Sequence, residues 1–159
     1  MRSRENISCP VCNGSLTVYG SRKRHLLDED GEKVTLIIRR MKCSSCSRIH
    51  HELPDCIVPY KQYSSAVIEA LLGGEDYRSA SFPGETSSMY RIVAWFSLLR
   101  LYFEGVLNSL KLQWKDDLEI QNELASLLPL VTTGLSAGWL RKLVRYTVNS
   151  GFWPQTHFA

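Results

Sequence analysis

Cys9-Pro-Val-Cys12 and Cys43-Ser-Ser-Cys46 are the residues of this chain whose types and spacing can do chemistry. Two residues between the sulfurs of each pair let both reach one ion from a single tight turn. Residues 13–42 lie between the pairs and can leave and return as a hairpin. Asn13-Gly14 suits the sharp exit of a metal-binding knuckle. The pattern predicts one structural zinc ion, Zn2+, held by Cys9, Cys12, Cys43 and Cys46 in a closed tetrahedral site with no position for a substrate. An iron site of the rubredoxin type uses the same four thiolates. Redox use of a C-x-x-C needs a strand–helix context, and none follows the motif here. His50 and His51 come just after the second pair; either could replace a sulfur, but four cysteines already satisfy the ion. They read instead as a polar pair at the ribbon edge. The fifth cysteine, Cys56, reads as a small buried hydrophobe, and His25 and His157 have no evident partners in the sequence.

Five cysteines is an odd count, against a disulfide framework. The N-terminus is polar, with no secretory signal visible, and apolar runs such as Leu36-Ile37-Ile38 are far too short to span a bilayer. A cytoplasmic location with reduced thiols is therefore expected, with no membrane partner. The net charge of +3 is unevenly spread. Residues 1–50 carry ten Lys or Arg against five acids, and the remainder carries nine against eleven. The positive field surrounds the cysteines.

The elements that must position these groups follow from periodicity. Leu16 to Tyr19 suits a short strand. Arg22 to Leu27 and Lys33 to Arg40 flank Asp28-Glu29-Asp30-Gly31, a turn, and make a hairpin with Val34, Leu36 and Ile38 on one face and Thr35 and Ile37 on the other. Residues 7–58 hold too few large apolar groups for a core of their own, so metal binding should be part of their folding. After Pro59 the period turns helical. Ser64 or Ser65 caps a helix carrying Val67, Ile68, Leu71 and Leu72 that ends at Gly73-Gly74. Glu75 to Ala80 forms a further turn. Thr86 or Ser87 caps a long helix to about Lys111 that buries Ile92, Trp95, Phe96, Leu99, Tyr102, Phe103, Val106 and Leu110. Asp116 or Asp117 starts another helix, which stops before Pro129. Ser136 caps the last, with Trp139, Leu140, Leu143, Val144 and Val148 buried and Gly151 past its end. The predicted fold is α+β: a zinc-ribbon domain over residues 1–58 with a β-hairpin, then an all-α domain over 59–159.

Arg22-Lys23-Arg24 and Arg39-Arg40-Met41-Lys42 lie on the two sides of the hairpin, and both clusters are expected to converge near its knuckle end as a footprint for phosphate. Residues 63–103 run helix, turn, short helix, loop, long helix, an order that resembles a helix-turn-helix. In that arrangement Ser87, Ser88, Tyr90 and Arg91 would reach phosphates or base edges. The same residues also fit an ordinary helical bundle. Arg141 and Arg145 share a solvated face of the last helix.

Beyond these readings, Cys9-Pro-x-Cys12, Gly-Ser-Arg-x-Arg (20–24), Ile-Arg-Arg (38–40) and Cys43-x-x-Cys46-x-Arg48-x-His50-x-Glu52-Leu53-Pro54 resemble a bacterial domain family of unknown function, seen mainly in Firmicutes. They are also similar to the zinc-binding N-terminal segment, with its helix-turn-helix, of some insertion-sequence transposases. The likeness covers residues 9–63, extends more loosely through 86–96, and includes the tail from Gly151. It implies a mobile-element protein that binds DNA and acts in transposition, with a transposase or another protein as partner. Such transposases continue into a catalytic domain with three dispersed carboxylates that hold magnesium. Here Asp116, Asp117, Glu119 and Glu123 crowd one helix start, where acids favour the dipole. The resemblance thus supports a binding accessory or regulatory factor and not strand transfer. No enzyme and no small-molecule substrate are expected, since nothing places a nucleophile beside a base; thiolate redox and nuclease activity rank last. The competing class is a protein-interaction adaptor with a purely structural ribbon, docking around Phe152-Trp153-Pro154.

Overall fold

The computed structural model describes residues 8–73, 82–133 and 136–154. Asp28 makes the turn that starts the fold. Its carboxylate accepts the N–H groups of Asp30 and Glu32, its N–H donates to the Glu32 carbonyl, and Gly31 takes φ +78°, a conformation that favours glycine. Strands β1 (Leu16–Leu27) and β2 (Lys33–Cys43) run either side of it, so the two short strand segments expected before the turn are one long strand. A third strand, β3 (Ile49–His51), pairs antiparallel with β2 in the register Arg40 with His51, Met41 with His50 and Lys42 with Ile49. The sheet order is β1-β2-β3. On β2 the alternation is as expected: Ile38 is buried and Val34 and Leu36 are half-buried, while Thr35 and Ile37 are exposed.

Four helices follow among the described residues, so the architecture is mixed α+β: α1 (Ser65–Gly73), α2 (Thr86–Gln113), α3 (Leu118–Thr133) and α4 (Trp139–Asn149). Ser64 caps α1 by accepting the Val67 N–H at 3.2 Å. Helix α2 begins at Thr86, with Glu85 rather than Thr86 or Ser87 at its N-cap and no side-chain cap bond. Asp117 caps α3 through its carboxylate, which accepts the Ile120 N–H at 3.0 Å. Residues 75–80, read as a further turn, lie outside the described residues.

Two expectations are corrected. Helix α3 does not stop before Pro129 but passes through it to Thr133. Proline there removes the hydrogen bond to the Ala125 carbonyl, and Ala125 and Pro129 are both exposed, so water can satisfy that oxygen. The last helix is not capped by Ser136. Its N-cap is Gly138, and the cap is supplied from α1: the buried Glu69 carboxylate accepts the N–H of Gly138 at 2.8 Å and of Leu140 at 2.7 Å. A negative group at the positive end of a helix is favourable, and the two otherwise unpaired donors are satisfied.

The chain forms two compact units. One comprises the residues up to His25 together with Thr35–Pro54; the other comprises Leu26–Val34 and the residues from Asp55 onward. In the second unit α2 packs on α1, α3 and α4, around Phe103, Leu107, Leu110, Leu124, Leu127, Trp139, Leu140 and Leu143. Tyr102, expected in this core, is 42 % exposed and donates its hydroxyl to the Phe152 carbonyl at 2.7 Å. Trp153 lies against Trp95 and Phe103, while Phe152 beside it is 44 % exposed. Among the described residues no helix is long and apolar enough to cross a membrane.

Candidate metal centre

The two cysteine turns are built alike. In the first, the Cys9 N–H donates to the Gly14 carbonyl at 2.9 Å and the Asn13 N–H to the Cys9 carbonyl at 2.8 Å. In the second, the Cys43 N–H donates to Arg48 at 2.9 Å and the Ser47 N–H to Cys43 at 3.2 Å. Asn13 and Ser47, each four residues after the first cysteine of its pair, are both left-handed, with φ of +57° and +58°. The turns meet closely. A Cβ on Gly14 would stand 2.5 Å from Ser45 Oγ and 3.0 Å from Cys43 Sγ, so a side chain at that position would force the knuckles apart. Ser15 and Ser44 join them further, with the Ser44 N–H donating to the Ser15 carbonyl at 3.0 Å.

This geometry brings the sulfurs of Cys9, Cys12, Cys43 and Cys46 within 4.8 Å of one another, a group that could hold a metal ion. Cys9 and Cys46 lie 3.7 Å apart, and Cys12 and Cys43 lie 3.5 Å apart. A tetrahedron with metal–sulfur bonds of about 2.3 Å has edges of about 3.8 Å, so the donor set fits such an ion. The pKa of Cys43 is lowered to about 6 by N–H groups of its own turn, first that of Cys46. At Cys12 the Gly14 N–H pulls the value down, but the sulfurs of Cys43 and Cys46 outweigh it and the thiol rises to about 12. Cys43 thus ionises readily while Cys12 resists, and a dication bound by both would remove that conflict.

Sequence reasoning did not separate the two histidines. His50 Nε2 lies 3.2 Å from Cys9 Sγ, outside the four-sulfur group, where it can hydrogen-bond a ligand rather than replace one. His51, next along the strand, points to the other face. Its imidazole is held below the usual range by partial burial and by the charges of Arg22 and Arg40. His25 Nδ1 has found Thr35 Oγ1 at 2.9 Å, His157 lies outside the described residues, and Cys56 is half-buried, its thiol pushed up by burial.

The basic residues do not form one surface. Arg39 and Arg40 are strand neighbours and take opposite faces. Arg39 forks onto Glu52, with Nη2 2.6 Å from Oε1 and Nε bonded to the other oxygen. Arg40 and Lys42 share the other face, where their cationic groups lie 5.4 and 5.7 Å from the ring centre of Tyr19, which is 58 % exposed. Tyr19 escaped the sequence reading; its signal was an aromatic whose same-face strand neighbours, Thr17 and Ser21, are polar. Arg22 and Lys23 are exposed and Arg24 half-buried. Among the described residues no carboxylate lies within ion-pair distance of Arg22, Lys23, Arg40 or Lys42. In the helical unit, Ser87, Tyr90 and Arg91 are exposed on the first turns of α2 and Ser88 is half-buried, with the Arg91 guanidinium donating to the Ser87 carbonyl and hydroxyl at 3.3 Å.

A three-stranded ribbon whose four cysteine sulfurs converge from two matching turns defines a candidate metal-binding protein. The chain belongs to the domain family of unknown function DUF6431, whose model matches residues 9–92 and so takes in both knuckles, the ribbon, α1 and the start of α2. No curated protein and no solved structure matches the chain.

Proposed function

We propose that the protein is a DNA-binding accessory or regulatory factor of a mobile element, built on one structural zinc ion and carrying no catalytic site of its own. The observation that carries this reading is the face on which half-buried Arg40 and exposed Lys42 flank the exposed Tyr19 ring, with no carboxylate among the described residues within ion-pair distance of either cation. Lys42 is the residue before a cysteine of the site, so the metal fixes the end of the strand that presents both cations. Cations around an aromatic ring suit phosphate and base together. Zinc is favoured for the four thiolates because the site is closed and needs no redox change. Exposed Ser87, Tyr90 and Arg91 at the start of α2 supply a second set of contacts if the helices dock as a helix-turn-helix does. The mobile-element role rests on the likeness of residues 9–63 to transposase N-terminal segments.

The test is fluorescence anisotropy with a labelled duplex across a salt series, comparing wild type, Arg40→Ala/Lys42→Ala and Arg39→Ala. Wild type should weaken steeply with salt. The double variant should bind more weakly and lose about two units from the log–log salt slope, at about 0.9 per phosphate contact. Arg39→Ala should change the slope less, because Glu52 already holds that guanidinium. Absence of binding at low salt would sink the proposal. Metal analysis of the purified chain by mass spectrometry reads zinc against iron directly.

A further inference from the structure

Helix α2 is 28 residues long, and only one side of it enters the core, through Ile92, Trp95, Phe96, Phe103, Val106, Leu107 and Leu110. Its opposite side carries Ala94, Leu98, Leu101, Gly105, Asn108 and Leu112, spaced alternately four and three apart, which is the a/d spacing of a coiled-coil seam. Every one of these residues is exposed, with Leu98 and Leu112 at 79 % and Leu101 at 73 %. Leucines this open, in register along one side of a single helix, are not scattered surface residues. Gly105 sits in the middle of the seam and weakens a helix interior. No close approach among the described residues requires it, since a Cβ there would meet no atom within 4 Å.

We propose that this seam of α2 pairs with the same seam of a second copy of the chain, the two helices antiparallel about a two-fold axis near Phe103. The fit is self-complementary. In that register Leu101 lies over Gly105 of the second copy, Leu98 over its Asn108, and Leu112 over its Ala94, so each leucine meets a smaller residue. A parallel pairing would instead set glycine on glycine and leave a void. Glu104, the acid bordering the seam, is already neutralised by Arg100 at 3.7 Å and bonded by Thr132 at 3.2 Å. The seam is about 27 Å long at 1.5 Å per residue. Two helices meeting over that length bury less than the roughly 800 Å2 per partner of a standard interface, so the dimer is weak and depends on concentration. This inference stands without any binding to DNA.

Sedimentation equilibrium of the metal-loaded full chain tests it. The average mass of wild type should rise from one chain toward two with concentration. Leu98→Glu/Leu101→Glu should stay at one chain throughout, at least tenfold weaker, with helicity and metal content unchanged because both sites are exposed. Leu98→Lys alone should also be monomeric, whereas Leu98→Lys/Asn108→Glu should regain the dimer, since those positions face each other only in the antiparallel register. A wild type that stays monomeric into the millimolar range overturns the proposal and gives the seam to a different protein. A dimer that survives the double glutamate variant overturns it too, and failure of Leu98→Lys/Asn108→Glu to regain the dimer overturns the antiparallel pairing.

Discussion

In the sheet unit, the only buried apolar groups among the described residues are Ile38 and two of the four cysteines, Cys9 and Cys43. The helical unit buries Phe103, Leu107, Leu110, Leu124, Leu127, Trp139, Leu140 and Leu143 in one cluster. One unit is therefore organised around sulfur and the other around hydrocarbon. The difference teaches where each draws its stability. A long exposed β1 cannot offset the entropy of its own ordering by burial, and an ion held by four thiolates can. The helical unit needs no such staple, because side chains from all four helices interdigitate.

The widest separation between the two should come from removing the metal. A strong chelator, or Cys43→Ala, should abolish the dispersed strand signals of residues 15–51 in NMR spectra and leave the helical signals of α1 to α4 in place. Loss of both together would break the comparison. The converse lesion is Phe103→Ala, which empties a fully buried ring site. It should cost about 3–5 kcal/mol in denaturant unfolding of the helices, with metal stoichiometry unchanged. A smaller effect is expected from Glu69→Ala, about 2 kcal/mol, because the Gly138 and Leu140 N–H groups lose their buried acceptor.

The smallest is a pH effect on the helices. Glu123 accepts the Tyr146 hydroxyl, which holds its carboxyl below the ordinary value, and Lys142 lies 3.2 Å away. A carboxylate lowered in the folded state adds stability that is fully present above its unfolded value near 4.5 and is lost as pH falls through the lowered folded value. Tyr146→Phe should therefore flatten the acid limb of helical stability, by at most about 1 kcal/mol given how much solvent screens this pair. An acid limb identical in wild type and variant would remove Glu123 from the account.

How much was legible in the sequence follows from the range over which each signal acts. The cysteine spacings are local, and so is the Asp28–Gly31 turn that returns the chain, so the four-sulfur group and the hairpin could both be read. The helix faces could be read because hydrophobic periodicity is local too. The Glu69 cap could not, since donor and acceptor lie about seventy positions apart and only the packing of α1 on α4 joins them. Pro129 misled because the cost of proline inside a helix falls where the carbonyl it orphans can reach water, and Ala125 and Pro129 are both exposed. His50 and His51 were indistinguishable until the β2–β3 register set one toward Cys9 and the other away. For the same reason Arg39 and Arg40, adjacent in sequence, divide between an ion pair and an open face.

The matching hydrogen bonds of the two cysteine turns bear on rates of assembly. Each turn closes on its own backbone, so either can present two sulfurs before the other arrives. An ion can then be caught by one knuckle and completed when the hairpin closes, a step of microseconds in short hairpins. Release can run the same route backward, one knuckle at a time, without all four bonds breaking together. Exchange with a competing chelator should accordingly speed up as chelator is added, whereas escape limited by opening of the whole ribbon would be indifferent to it.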